Sequence, residues 1–223
     1  LIVSGLEMEK NVVTSDGSNS YSMVPKYHIY VILNKTVEGE NFEMFKAFGD
    51  RGQFEDVFTD PAELFAGIDD TYDHLINKTK GVSASAGLKD VILDAKLAGI
   101  LAHEAIGHTT EADLVQGGSI AGELYNKEIA SPLISLVDFA NSYKGETCPV
   151  PVYIDDEGVK AEDQVIIEKG ILKGYMHNKE TAKHFGHGLT GNARAFDFSD
   201  EPLVRMRNTA IIPGTSRLQD MIA

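Results

Sequence analysis

The stretch that decides the fold is DAKLAGILAHEAIGH, residues 94–108. Asp94 is a good helix N-cap, and apolar residues recur after it at helical spacing, so the sequence predicts a largely apolar helix. The last turns of this helix carry His103, Glu104 and His108. Neutral imidazole is the commonest protein ligand for zinc, and a glutamate beside the first ligand is suited to act as general base on water. These are the residue types that a zinc hydrolase needs.

The spacing of the two histidines is unusual. They lie five residues apart, whereas the common zincin motif places them four apart, on one face of a regular helix. In an undistorted helix, five residues turn the second side chain roughly 140° away from the first. A π-turn, or a helix that ends near Gly107, would escape this, and either predicts an irregularity between Glu104 and His108. The competing interpretation is a helix end at which the histidines cap carbonyl groups.

Two carboxylates follow the motif closely. Glu111 and Asp113 lie within about a turn of His108, where they could bind metal or hold an imidazole by its second nitrogen. A solvated acidic loop is the competing interpretation. The single cysteine, Cys148, lies in a proline-fixed stretch with no basic neighbour to activate its thiol, and we do not expect it to be a ligand. We expect His28, His74, His177 and His184 to be ordinary hydrogen-bonded core residues.

Composition bounds the class of protein. With 223 residues, 43% of them hydrophobic, the chain is long enough for one large domain or two small ones. The formal charge of −14 repels phosphate backbones, so we expect no nucleic-acid partner. No run of about 18 apolar residues and no cleavable leader is present, so we expect no membrane span and a cytoplasmic location. One cysteine excludes an internal disulfide.

Hydrophobic periodicity predicts an α+β fold, with mixed or antiparallel sheets and helices packed against them, and the motif at the end of an apolar helix. We divide the chain into a strand-rich region with one helix, residues 1–90, and a domain that carries the motif, residues 91–223. The chain opens as a strand in progress and closes, at residues 217–223, on the start of a helix, so we expect a piece of a longer protein.

The predicted strands are 11–14 and 27–33 around a turn at 15–19, 42–48 with a turn at 49–52, 91–93, 133–137, and a hairpin of 164–167 and 171–175. The predicted helices are 61–79 with Asp60 as N-cap, the motif helix, and 179–185, and residues 186–194 are predicted to form a loop.

Beyond the motif, the chain resembles the TldD/PmbA family, and specifically its TldD-type zinc metalloproteases. The five-residue spacing of the histidines is the family's own pattern. The blocks that resemble the family follow its order across nearly the whole chain: residues 14–17, 101–108 with Glu111 and Asp113, 130–133, 153–158, 168–175, 205–209 and 213–214.

The resemblance implies a peptidase of unfolded or small peptides that works as a homo- or heterodimer with a TldE/PmbA-like subunit, its metal site facing an enclosed chamber. His103 and His108 would be zinc ligands and Glu104 the general base. The family's third ligand is a cysteine in a C-terminal domain, which we expect to be missing here together with much of the amino-terminal domain. Because catalytic zinc normally has three protein ligands, we expect this chain to be metal-poor and inactive alone.

Three further residues are candidates for orienting a peptide, with structural hydrogen bonding as the competing role: Arg194, Arg205 and Asn208. The alternative function is that of a non-catalytic PmbA/TldE-like partner subunit or interaction protein. Such subunits lack the histidine pair, so the intact motif argues against this alternative. The family's older label, modulator of DNA gyrase, finds no basic patch in this sequence to support it.

Overall fold

The structure is a computed structural model that describes residues 1–222. The chain forms two compact units. The first contains Leu1–Asn11 and Tyr21–Lys89, and the second contains Val12–Ser20 and the chain from Asp90 onward. The α+β class predicted from the sequence is confirmed, since several small antiparallel sheets alternate with helices.

The elements of the first part of the chain are β1 (Ile2–Leu6), β2 (Glu9–Val13), β3 (Asn19–Met23), β4 (Lys26–Val37), β5 (Glu40–Arg51), α1 (Phe54–Val57), a 3₁₀ turn (Pro61–Leu64) and α2 (Phe65–Lys78). Strands β1, β4 and β5 form an antiparallel sheet in that order, and β2 pairs with β3. The predicted turn between β2 and β3 is present, with Gly17 at a φ of 99°.

Strand β5 is longer than predicted. Glu38 and Gly39 both have positive φ, as a two-residue hairpin turn requires, and β4 and β5 then pair from Val37 opposite Glu40 to Lys26 opposite Arg51. The turn predicted at residues 49–52 is therefore wrong, because cross-strand pairing with β4 holds most of these residues in the sheet. Only Gly52, with a φ of 121°, leaves the extended conformation.

The helix predicted at residues 61–79 is confirmed. The Asp60 carboxylate accepts a hydrogen bond from the Ala62 N–H at 2.9 Å, Pro61 opens the 3₁₀ turn, and α2 follows. Leu75 is only 2% exposed. A Cβ at Gly67 would lie 2.7 Å from the Phe48 ring, so α2 packs closely on the sheet.

The strand predicted at residues 91–93 is wrong. The chain from residue 79 to 94 contains no helix or strand, and Val91 and Ile92 are 70% and 50% exposed. The β-branched residues favour a strand, but no described neighbour pairs with them, and strand propensity depends on such pairing.

The remaining elements are α3 (Ala95–Leu101), a π-helix (Ala102–Gly107), a 3₁₀ turn (His108–Thr110), α4 (Ala112–Gln116), α5 (Ala121–Leu124), β6 (Leu136–Phe139), β7 (Ser142–Tyr143), β8 (Glu146–Thr147), β9 (Gln164–Glu168), β10 (Ile171–Leu172), α6 (Lys179–Phe185), β11 (Ala193–Arg194), β12 (Leu203–Val204), β13 (Asn208–Ile211) and α7 (Leu218–Ile222). The helix expected at residues 217–223 is α7, and Ala223 lies outside the described residues.

The core of the second unit lies on an antiparallel sheet of order β10-β9-β6-β13. The strand predicted at 133–137 is β6, displaced towards the C-terminus. The predicted hairpin is confirmed as β9 and β10, with Gly170 at a φ of 84° in its loop. Helix α6 is also confirmed; the Asn178 side chain caps its first turn, and Gly186 ends it with a φ of 66°. None of the helices in residues 1–222 is both long and apolar enough to cross a membrane.

Candidate metal centre

The helix that carries the two histidines widens where they lie. The Asp94 carboxylate caps α3 by accepting a hydrogen bond from the Leu97 N–H at 2.8 Å. Helix α3 then continues as the π-helix, and the backbone N–H of His108 donates to the carbonyl of His103, five residues earlier. The irregularity predicted from the spacing is therefore present. A π-turn places residues five apart above one another, as residues four apart lie in an α-helix.

The wide turn gathers three potential ligands. One ligand atom from each of His103, Glu104 and His108 lies within 4.8 Å of the other two, and this is the one such group of His, Cys, Asp or Glu within residues 1–222. The two imidazole centroids are 4.8 Å apart, with their planes at 86°. His103 and Glu104 are exposed and His108 is half-buried. Two imidazoles and a carboxylate at this separation fit the donor chemistry of zinc.

A buried carboxylate lies behind the second histidine. Oε2 of Glu111 is 3.3 Å from Nδ1 of His108, and the Glu111 side chain is only 2% exposed. Burial raises the pKa of Glu111, and the hydrogen bond to His108 opposes this rise. A carboxylate on one ring nitrogen leaves Nε2 free for a metal, the arrangement in which zinc-binding histidines are usually held. Oε1 of Glu111 has no hydrogen-bond partner in the structure, so the group fits a supporting role beside a metal.

Of the other predicted residues, Arg205 lies near this carboxylate, and Asp113 anchors the backbone of β12. The Nη1 atom of Arg205 lies 4.0 Å from Oε2 of Glu111 and donates to the Val204 carbonyl at 2.7 Å. The Asp113 carboxylate accepts from the N–H of Val204 at 3.2 Å and from that of Leu114 at 2.8 Å. Asp113 therefore holds backbone and lies outside the group of potential ligands.

Arg194 and Asn208 make structural hydrogen bonds. Arg194 donates to the Met206 carbonyl at 2.8 Å, and burial lowers the pKa of its guanidinium. The Asn208 amide donates to the Val150 carbonyl at 2.8 Å, and its oxygen accepts from the Val150 N–H at 2.9 Å. Both ends of the Asn208 side chain are thus occupied, although the residue borders a groove beside the motif.

A groove with a volume of about 860 Å³ runs beside the motif, within the second unit. Strand β13 is the last strand of its sheet and forms part of the wall. Cys148 lies in the same wall but does not join the group of potential ligands. Beside His103 and Glu104, the wall includes the apolar residues Ile100, Phe139, Val150 and Ile211.

Sequence reasoning missed two contacts that shape this region. Arg207 and Asp138 form a fully buried ion pair, with Nε 2.9 Å from Oδ2, which ties β13 to β6. Met206 packs against Gly107, the last residue of the π-helix. No local pattern signals either contact, because the partners lie far apart in the chain.

The expected core role is confirmed for His177, which is buried and hydrogen-bonded, and is wrong for His74 and His184, which lie at exposed positions of their helices. His177 is 2% exposed, with Nδ1 3.1 Å from Thr181 Oγ1 and Nε2 3.0 Å from Nδ1 of His187.

Several relatives of this chain are named as metalloproteases. A 147-residue stretch is 40% identical to the zinc metalloprotease TldD homolog of Saccharolobus solfataricus, covering 66% of this chain and 32% of that protein. The metalloprotease TldD homolog of Haemophilus influenzae is 39% identical, covering 64% of this chain and 29% of that protein. A metalloprotease of Methanothermobacter thermautotrophicus is 29% identical over 99% of this chain and 48% of its own length. The chain thus spans about a third to a half of these relatives.

Solved structures share the fold. TldE from Thermococcus kodakarensis superposes with a TM-score of 0.64 at 19% identity, covering 93% of this chain and 45% of that one. A Thermotoga maritima protein described as a modulator of DNA gyrase gives a TM-score of 0.69 at 18% identity, with the same coverage. A family model described as the PmbA/TldA metallopeptidase C-terminal domain matches residues 86–223. The chain belongs to the PmbA/TldD family of metallopeptidases.

Proposed function

We propose that this chain contributes the histidine ligands and the general base of a zinc peptidase site. His103 and His108 hold the zinc, and Glu104 is the base. The observation that carries the proposal is the wide turn, which brings one ligand atom of each residue within 4.8 Å of the others. A relative named as a zinc metalloprotease, 40% identical over 147 residues, supports the choice of metal.

Each residue has a separate part in hydrolysis. Bound zinc would polarise a scissile carbonyl and lower the pKa of nearby water. Glu104 accepts the proton of the attacking water and later donates it to the leaving amine, and its exposed position gives it access to both. Glu111 keeps the His108 ring in one orientation through Nδ1. Glu104 is thus the catalytic residue, and Glu111 is a positioning residue.

The substrate we propose is an unfolded or small peptide lying in the groove beside β13. An outer strand offers backbone groups that can pair with an extended peptide. Such pairing recognises the peptide backbone and does not depend on the peptide's sequence. The mostly apolar walls beside His103 and Glu104 suit uncharged side chains of such a peptide. Pairing with a TldE/PmbA-like subunit around an enclosed chamber, and a third zinc ligand outside these 223 residues, are part of the same proposal.

The test is Glu104→Gln in the natural protein that contains these residues, purified with zinc. Gln keeps the volume of Glu but cannot accept the proton, so we expect peptide turnover to fall by about two to four orders of magnitude while zinc content is retained. Turnover of an unstructured peptide and metal content are measured on the same preparation. Glu123→Gln, at an exposed position on α5, is the control.

Retained turnover in a folded, zinc-loaded Glu104→Gln protein would remove Glu104 from the mechanism. Loss of zinc in that variant would instead make Glu104 a ligand rather than the base.

A further inference from the structure

The end of the wide turn packs against a methionine from a distant part of the chain. A Cβ on Gly107 would overlap the Met206 sulfur, and it would lie 3.0 Å from Cε and 3.3 Å from Cγ of the same side chain. Met206 is 8% exposed and belongs to the core that also contains Ala102, the first residue of the π-helix. The methionine thus reaches the helix backbone itself.

Packing, rather than backbone conformation, explains why residue 107 is a glycine. Its φ of −54° and ψ of −61° are ordinary right-handed helical values that any residue adopts. Glycine costs a helix about 1 kcal/mol relative to alanine. Local conformation therefore does not explain the glycine at position 107. The close approach of Met206 explains it, because only glycine leaves room for the methionine side chain.

Met206 is held in place from both sides. Its carbonyl accepts a hydrogen bond from Arg194 at 2.8 Å. Two residues before it, the N–H of Val204 donates to Asp113, and directly after it the N–H of Arg207 donates to buried Asp138 at 2.8 Å. Because the backbone on each side is anchored, Met206 can make room for a side chain at position 107 only by turning its own side chain within the core.

We propose that Gly107 and Met206 are a size-matched pair of positioning residues that hold the π-turn and so set the distance between His103 and His108. A π-turn is rare and occurs mostly as a single turn within α-helices. If residues 102–107 returned to a regular α-helix, His108 would turn roughly 140° away from His103. The packing of Met206 against Gly107 selects the wide form. The pair concerns the geometry of the histidines, and its importance for hydrolysis rests on the proposed function.

The first measurement reads the distance without metal. In the 223-residue chain, the two imidazoles lie with centroids 4.8 Å apart, so NMR should detect a nuclear Overhauser effect between their rings. We expect Gly107→Ala to abolish this signal and to weaken Zn²⁺ binding, read from the same imidazole signals, by about tenfold or more. The double variant Gly107→Ala/Met206→Ala should regain the ring contact and most of the affinity, because the smaller residue leaves room for the methyl group.

Gly99→Ala is the matched control. Gly99 lies in α3, and a Cβ there would meet nothing within 4 Å. We expect this variant to keep both the ring contact and the Zn²⁺ response. Met206→Leu, which conserves side-chain volume, should also keep both.

Three results would overturn the pairing: a folded Gly107→Ala chain with the wild-type ring contact, a double variant no better than Gly107→Ala, or equal loss in Gly99→Ala. If Gly107→Ala does not fold, the double variant decides, since only a matched pair predicts that it folds with the ring contact restored. A wild-type chain with the ring contact but no Zn²⁺ response would contradict the proposed function and leave the pairing intact.

Discussion

At the scale of single residues, the candidate site contains a buried carboxylate, Glu111, in contact with one of its histidines. Its side chain is 2% exposed, one oxygen faces Nδ1 of His108, and the other has no hydrogen-bond partner in the structure. Keeping a carboxylate in such a place is costly unless it has a charged or hydrogen-bonded partner. Here His108 and Arg205 are those partners, and the contact with His108 restricts the orientation of its imidazole.

Replacing Glu111 by glutamine should weaken zinc binding. Glutamine has nearly the same volume but only one acceptor oxygen and no charge, so it holds the His108 ring less firmly. We expect zinc affinity of the natural protein to fall roughly 10- to 100-fold, the usual effect of removing a partner behind a ligand. A competition titration with a chromophoric chelator measures it, with Glu123→Gln as control. An unchanged affinity in a folded protein would contradict the orienting role.

At the scale of elements, the start of α6 is built around a histidine that stays neutral. Burial, with a further contribution from His187, lowers the pKa of His177 from 6.5 to about 4. Its ring touches Thr181 in the first turn of α6 and the aromatic ring of Phe185 in the last. The packing of this helix therefore depends on an uncharged imidazole.

This neutral imidazole makes stability depend on pH. Well above pH 6.5 the imidazole is neutral in both the folded and the unfolded state, and the stability is fully present. As pH falls from 6.5 to about 4, His177 binds a proton in the unfolded chain but stays neutral in the folded protein. The free energy of unfolding therefore falls by up to about 3 kcal/mol. Urea unfolding between pH 4 and pH 7 should show this loss in the wild type and much less of it in His177→Gln.

Burial raises the pKa values of buried Glu111 and Asp155 and of half-buried Glu157, so these groups stabilise the folded protein more as pH falls. Their effect is common to both proteins and cancels in the difference. His184→Gln, at an exposed position on α6, is the control and should keep the wild-type profile. A His177→Gln profile that parallels the wild type would show that His177 is not the responsible group.

The elements also show why some features were predictable. The five-residue spacing of His103 and His108 predicted an irregular turn because both residues belong to one short stretch of helix. The caps at Asp60 and Asp94 and the loop glycine at Gly170 were predictable for the same local reason. Residues 91–93 were assigned wrongly, since a strand needs a partner that local sequence does not reveal.

At the scale of the whole molecule, the chain spans about a third to a half of its relatives, and its candidate site contains two histidines. Catalytic zinc normally has three protein ligands and a water molecule. We therefore propose that a third ligand comes from outside these residues, and that the 223-residue chain binds zinc weakly and does not hydrolyse peptides alone.

Calorimetric titration of the 223-residue chain with Zn²⁺ tests this proposal. We expect weak binding that His103→Ala removes, because one imidazole and a carboxylate cannot hold the ion. His74→Ala, an exposed histidine of α2, should leave the weak binding unchanged. One tight site that disappears in His103→Ala would instead mean that these residues suffice.

The sequence by itself determined the α+β class, the longest helices and strands, and an irregularity at the motif, because these depend on side chains within a few residues of one another. Only the tertiary structure decided that Met206 packs against Gly107, that buried Asp138 pairs with Arg207, and that β13 borders the groove beside His103. These contacts join residues that lie far apart in the chain. They form because the core must exclude water and pair its charges, which no local pattern encodes.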